Sequence, residues 1–183
     1  MPVAVQRVQG FRAGPSIISA SGIPLRKAPA PLARRFQQIC AAIIAEALAG
    51  TGLVQLEFAI LVFLDDVPGI DQRRLSEAMG IDRNNISLLL DELEKRGLVQ
   101  RRINGADRRA RELYLTAKGK ELRQLAQPRI RAANLRIVKP LKGPEQTLFL
   151  DLLVRLVEGN RVHARPGAGR RRRDARRASH AKP

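Results

Sequence analysis

A glycine-centred break between two short apolar stripes constrains this chain more than any other feature. Leu75, Ala78 and Met79 recur at i, i+3 and i+4, which predicts one face of a short helix from Asp71 to Met79. Gly80 follows and supplies the positive φ that an abrupt stop needs. Two residues later, Asp82 can accept from the free N–H groups of a new helical turn. Ile86, Leu89, Leu90 and Leu93 then form a second stripe, over a helix from Asp82 to Arg96 that Gly97 closes. Leu98, Val99 and Ile103, and then Leu113, Tyr114 and Leu115, suit the two strands of a hairpin with Asn104-Gly105 near its tip.

Helix, tight turn, helix and hairpin, in that order, predict a helix-turn-helix followed by a β wing, a device that seats a helix in the major groove of DNA. The polar face of the second helix carries Arg83, Asn84, Asn85, Ser87, Leu88 and Asp91. Residues at the start of such a helix reach base edges, where Arg suits guanine and Asn suits adenine. Arg83, Asn84, Asn85 and Ser87 are therefore the candidate base readers. Leu88 suits either a thymine methyl or the core, and Asp91 suits a role in orienting an arginine.

Arg101, Arg102, Arg108, Arg109 and Arg111 crowd the hairpin, and Arg73 and Arg74 the first helix. Each alone reads equally well as a solvated surface charge. As a set on a wing they repel one another unless an anion lies against them, and duplex DNA offers phosphates and a narrow minor groove. Asp107 stands beside them and can aim the Arg109 guanidinium.

The residues Leu75-Ser76-Glu77-Ala78-Met79-Gly80-Ile81-Asp82-Arg83, Leu93-Glu94-Lys95-Arg96-Gly97-Leu98-Val99, Asp107-Arg108-Arg109-Ala110 and Leu115-Thr116-Ala117-Lys118-Gly119 resemble the MarR family of bacterial transcription regulators. The Asp-Arg-Arg wing followed by Leu-Thr-x-x-Gly is the most specific part, and the resemblance spans residues 31–159. Asn84-Asn85 and Leu88 depart from it, standing where the family usually has smaller or basic residues. The resemblance implies a mainly α fold, with a winged helix-turn-helix module flanked by N- and C-terminal dimerisation helices. It also implies a small-molecule effector, often an aromatic carboxylate, in a cleft that Arg34, Arg35, Phe36, Ile39, Cys40, Phe58 and Phe63 would line. The alternative for those seven is ordinary helix packing with solvated arginines.

The rest of the chain fits that frame. Residues 1–30 hold four basic and no acidic residues, with Pro2, Pro15, Pro24 and Pro29, and read as an extended arm. A helix beginning near Pro31 carries Leu32, Phe36, Ile39, Cys40, Ile43, Ile44, Ala47 and Leu48 on one stripe. Leu53 to Leu64 is apolar nearly all round and predicts a buried helix. Asp65 to Gly69 reads as a turn. Thr116 caps a helix running toward Gln127, where Pro128 must kink or break it before Arg129 to Lys139 continues. Pro144-Glu145 opens a last helix with Leu148, Phe149, Leu152, Leu153, Leu156 and Val157 on one side, stopped by Gly159. The broad stripes of the first and last helices predict a homodimer, whose two reading helices would lie one DNA turn apart on a near-palindromic site.

Net charge is +17 over 183 residues, but residues 31–160 carry 21 basic against 16 acidic residues, so most of the excess is in the flanks. Residues 160–183, with Arg170 to Arg173, Arg176 and Arg177, read as a tail that is disordered when free and binds phosphates non-specifically. An architectural, DNA-coating protein driven by these flanks is the competing expectation.

One cysteine excludes an intrachain disulfide framework and fits a reducing cytoplasm. On the apolar stripe, Cys40 reads as a buried inert thiol. Both histidines, His163 and His180, fall in or beside the tail, so neither a zinc site nor a histidine-dependent catalytic pair is suggested. No nucleotide-binding loop is present, no apolar run is long enough to span a membrane, and the N-terminus does not read as a signal peptide. The expectation is a non-enzymatic cytoplasmic regulator without metal or cofactor.

Overall fold

The computed structural model describes residues 27–103 and 111–163. The expected arm up to residue 26, the wing tip with Asn104, Gly105, Asp107, Arg108 and Arg109, and the tail from residue 164 lie outside the described residues. The chain divides into two compact units, Met1–Ala42 and Ile43–Pro183. Six helices and three strands are described: α1 (Pro29–Leu48), α2 (Gln55–Asp66), β1 (Ile70–Asp71), α3 (Gln72–Met79), α4 (Arg83–Lys95), β2 (Val99–Ile103), β3 (Arg111–Leu115), α5 (Ala117–Val138) and α6 (Gly143–Gly159).

In the first unit, the α1 residues Leu32 and Ile39 are exposed, while Phe36 and Cys40 are half-buried. Burial raises the Cys40 thiol pKa above its ordinary value, with a smaller opposing effect from a backbone hydrogen bond. That shift disfavours the thiolate, the reactive form.

The second unit holds one continuous core. Ile44 and Leu48, then Phe58, Ile60, Leu61 and Leu64 of α2, pack with Leu75 of α3 and with Ile86, Leu90 and Leu93 of α4. Leu98, Val99, Leu113, Ala126, Ile130 and Ala133 complete it. Of the two stripes that flank Gly80, Leu75, Ile86, Leu90 and Leu93 are buried in the core and Met79 and Leu89 pack half-buried against it, whereas Ala78 is exposed and Ser76 takes the second buried place on α3. The fold is a winged helix, mostly helical with a small antiparallel sheet.

Three details depart from the expectations. The expected turn before the reading module ends in a strand: β1 pairs with β3 through Ile70↔Leu113 and Asp71↔Glu112, giving sheet order β1-β3-β2. Two residues carry no alternation to read, so only the partner strand reveals it. α2 is not buried all round, for Leu56 is exposed and Val62 and Phe63 are half-buried. α5 runs unbroken through Pro128. Pro128 and Gln124 are both exposed, so the Gln124 carbonyl that loses its partner faces water at little cost. Along α6 no residue is buried: Leu148, Leu152, Leu153, Leu156 and Val157 of the expected stripe are exposed and Phe149 is half-buried.

The Leu-Thr-x-x-Gly segment is the joint of the module. Thr116 caps α5, accepting from the Gly119 N–H at 3.0 Å, and donates its hydroxyl to the Gly97 carbonyl at 2.7 Å. Its own N–H reaches the Leu98 carbonyl at 3.1 Å. Gly119 is buried, and a Cβ there would stand 2.1 Å from the Leu98 carbonyl oxygen and 2.9 Å from a Leu115 methyl. Gly119→Ala must therefore push α5 off the end of α4. The expected destabilisation is about 2 kcal/mol or more, the scale of an overpacked core. Urea melts at fixed protein concentration test it, and a midpoint equal to the parent would refute the close approach.

Candidate nucleic-acid interface

Local chemistry places the start of α4. Asp71 caps α3, accepting from the Arg74 N–H at 2.9 Å, and Gly80 ends that helix at φ 65°. The intervening turn is clamped twice: the Ile81 N–H meets the Ser76 carbonyl at 3.1 Å, and the Ser76 hydroxyl meets the Ile81 carbonyl at 2.6 Å. Ser76 is only 1% exposed. Asp82 then caps α4, accepting from the Asn85 N–H at 3.0 Å and from the Asn85 side-chain amide at 2.8 Å.

The end of α4 is held as firmly. The Glu57 carboxylate, 7% exposed, takes the N–H of Val54 at 3.0 Å and the Arg96 guanidinium at 3.2 Å. It thereby joins the first turn of α2 to the last turn of α4. Lys118 donates to the Arg96 carbonyl at 2.9 Å. Neither Ser76 nor Glu57 stands out in the sequence as a site residue. A polar residue on an otherwise apolar helix face is the available signal, and it does not name the partner.

With both ends anchored, α4 turns its polar face outward. Arg83, Asn84 and Asn85 are exposed at its N-terminus, and Ser87 is half-buried beside them. Arg73 and Arg74 are exposed on α3, each beside a carboxylate, Glu77 at 3.2 Å and Asp71 at 3.4 Å. Such exposed pairs are weak and leave the arginines available to a stronger anion.

Strand alternation divides the wing arginines, which had read as one basic group. In the β2–β3 register Arg101 faces Leu113, Arg102 faces Glu112 and Ile103 faces Arg111. Arg101 therefore points to the core side and Arg102 to the other. Arg101 is 18% exposed and engages two carboxylates of α4: Asp91 at 2.7 Å, and Glu94, which also accepts the Arg101 backbone N–H at 3.2 Å. Arg101, expected among the free wing arginines, is thus paired within the fold and ties β2 to α4. Asp91 orients an arginine, as its position suggested. Arg102 lies over the Tyr114 ring, 4.7 Å from its centroid, and Arg111 is exposed. The Tyr114 hydroxyl donates to Glu112 at 2.8 Å. That bond, with some burial and the Glu112 charge, raises the Tyr114 pKa against the opposing effect of Arg102.

Of the seven residues expected to line an effector cleft, Arg34, Arg35, Phe36, Ile39 and Cys40 belong to the first unit, and Phe58 and Phe63 to the second. Phe58 is a core residue, and Phe63 packs half-buried against the same core. An open groove of about 510 Å³ between Ile43–Ala47 and the Arg129–Arg136 stretch of α5 includes none of the seven.

Comparison with known proteins now decides the family. The MarR family model matches residues 51–110. The transcriptional regulator HosA of Escherichia coli O111:H- is 32% identical over 105 residues, 57% of this chain and 78% of HosA. The chain belongs to the MarR family. Among solved structures, PcaV of Streptomyces coelicolor in complex with its natural ligand is 31% identical, with a TM-score of 0.68 over 74% of this chain and 96% of that one. The transcriptional repressor CouR bound to a 23-mer DNA duplex is 28% identical, with a TM-score of 0.70 over 73% of this chain and 94% of that one. CouR from Rhodococcus jostii RHA1 is also solved with p-coumaroyl-CoA, at 31% identity and a TM-score of 0.64 over 72% of this chain and 93% of that one. The protein is thus a DNA-binding transcription regulator of MarR type. Among the described residues no helix is long and apolar enough to cross a membrane.

The Arg101 geometry has a measurable consequence for this MarR-family protein. Arg101→Met leaves Asp91 and Glu94 unpaired beside the reading face, so affinity for duplex DNA falls, while the slope of log affinity against log salt is kept. Adding Asp91→Asn and Glu94→Gln restores most of the loss. A phosphate contact at Arg101 would instead flatten the salt slope by about one, and the added substitutions would rescue nothing.

Proposed function

We propose that this protein is a homodimeric, effector-controlled repressor that reads a near-palindromic operator. The observation that carries the reading is α4 itself: Ile86, Leu90 and Leu93 are fully buried, its two ends are anchored, and Arg83, Asn84 and Asn85 are presented to solvent. In this proposal the start of α4 enters the major groove. Arg102, Arg111 and the wing-tip residues Arg108 and Arg109 grip the flanking backbone and minor groove, with Asp107 aiming Arg109, and Arg73 and Arg74 contact phosphate.

The uncovered stripe of α6 supports the dimer, because five apolar side chains along one helix are costly to leave in water. The CouR structures with a DNA duplex and with p-coumaroyl-CoA, and the PcaV structure with its natural ligand, support duplex DNA and a ligand as the two partners. The effector class that fits is a small aromatic acid or its derivative, met in the cytoplasm. Repression is relieved when effector and operator favour different spacings of the two reading modules, so that each lowers the affinity of the other by the same factor.

The test is a footprint of the full-length protein on duplex from its own upstream region, with and without aromatic acids. The expected result is a protected near-palindrome with half-sites about 10–10.5 base pairs apart, released by one compound. Arg109→Ala lowers affinity for every sequence alike, whereas Asn85→Ala changes which sequence is preferred. Equal binding to random duplex, abolished by removing residues 161–183, would replace this reading with that of a DNA-coating protein.

A further inference from the structure

Leu88 is the apolar side chain of α4 that the fold leaves out. It is 68% exposed, while Ile86 and Leu90, two residues to either side, are fully buried. At about 100° per residue, Leu88 lies about 200° around the helix from each of them, opposite the core. Its neighbours on that face are Asn84 and Asn85, at i−4 and i−3, and Asp91, at i+3, whose carboxylate Arg101 already occupies. Leu88 therefore sits in the middle of the polar reading face and contributes nothing to the core.

The setting selects a partner. Leucine offers neither donor nor acceptor, so against most base edges it would desolvate polar atoms without replacing their hydrogen bonds. In the major groove one base presents an apolar group, the C5-methyl of thymine. Leu88 is five residues beyond Arg83, a rise of about 7.5 Å, or roughly two base-pair steps. Arg83 and Leu88 can thus address separate positions of one half-site. The Arg102 and Arg111 guanidiniums on the wing match the charge of the strands that would flank such a groove.

We infer that Leu88 is a specificity-determining residue that reads a thymine methyl in each half-site, so that the operator carries a thymine at the base pair facing the second turn of α4. The inference rests on the reading that α4 enters the major groove. It makes the methyl, rather than a hydrogen-bonding edge, the recognised group at that position, and it distinguishes thymine from cytosine there.

A randomised duplex library, selected on the full-length protein and its Leu88→Ala variant, tests this. The duplex preferred by the parent is then resynthesised with single thymines replaced by deoxyuridine, which deletes the C5-methyl alone. At one symmetry-related pair of positions, deoxyuridine weakens binding by the parent about three- to tenfold per half-site. The same replacement changes binding by Leu88→Ala less than twofold, and Leu88→Ala loses its preference for thymine over cytosine there. Because Leu88 is exposed, the variant keeps the melting midpoint of the parent, so a folding defect is separable. Deoxyuridine sensitivity that persists in Leu88→Ala, or that occurs at no position, overturns the inference while leaving the major-groove reading intact. A selection that enriches no sequence at all overturns that reading, and this inference with it.

Discussion

The Leu98 carbonyl is where the geometry of the reading module is set. It receives the Thr116 N–H, and it is approached so closely by α5 that only glycine fits at position 119. Leu98 immediately precedes β2, three residues beyond the end of α4, and Thr116 immediately follows β3. One backbone oxygen therefore joins the exit of the reading helix, both ends of the hairpin and the start of α5. Buried backbone groups must be paired, and a close-packed contact has two arrangements, seated or not, with little between them. The base of the wing cannot tilt independently of α4 without breaking that contact, so any DNA that the two elements contact would meet them as one unit.

Electrostatics repeats the design at other points. Glu57 links α2 to the end of α4, and Arg101 links β2 to Asp91 and Glu94 on the flank of the same helix. In both, an arginine is committed to carboxylates within the fold, and for Arg101 the sequence alone assigns it to the wing's basic group. The desolvated Glu57 carboxylate needs a partner, and at Arg101 it is the largely covered guanidinium that does, satisfied by two acceptors at once. Among the described residues of the module, the basic surface left for an anion includes Arg102 and Arg111 from the hairpin, Arg83 from α4, and Arg73 and Arg74 from α3.

The apolar residues divide in the same way. The inner faces of α3 and α4 are consumed by the core, whereas the α6 stripe and Leu88 are not. These two leftovers differ in kind. The α6 stripe is broad and continuous, as a helix–helix interface needs. Leu88 is a single side chain among polar neighbours, as recognition of one methyl group needs.

Much of this was legible in the order of residues. Periodicity located α3 and α4 within one residue of their ends, because their caps, Asp71, Gly80, Asp82 and Gly97, act locally. The Leu-Thr-x-x-Gly motif was legible as a signature, but not as a steric joint. Strand β1 was not legible, since two residues acquire their conformation from β3. The unbroken course of α5 through Pro128 was not legible either, because it depends on which side of the helix meets water. Local chemistry is encoded locally, so the sequence by itself determined the helices, the turn, the hairpin and the family. Which arginine faces a carboxylate and which faces solvent depends on what folds up against it, so only the tertiary structure separated Arg101 from Arg102, buried Phe58 in the core and left Leu88 outside.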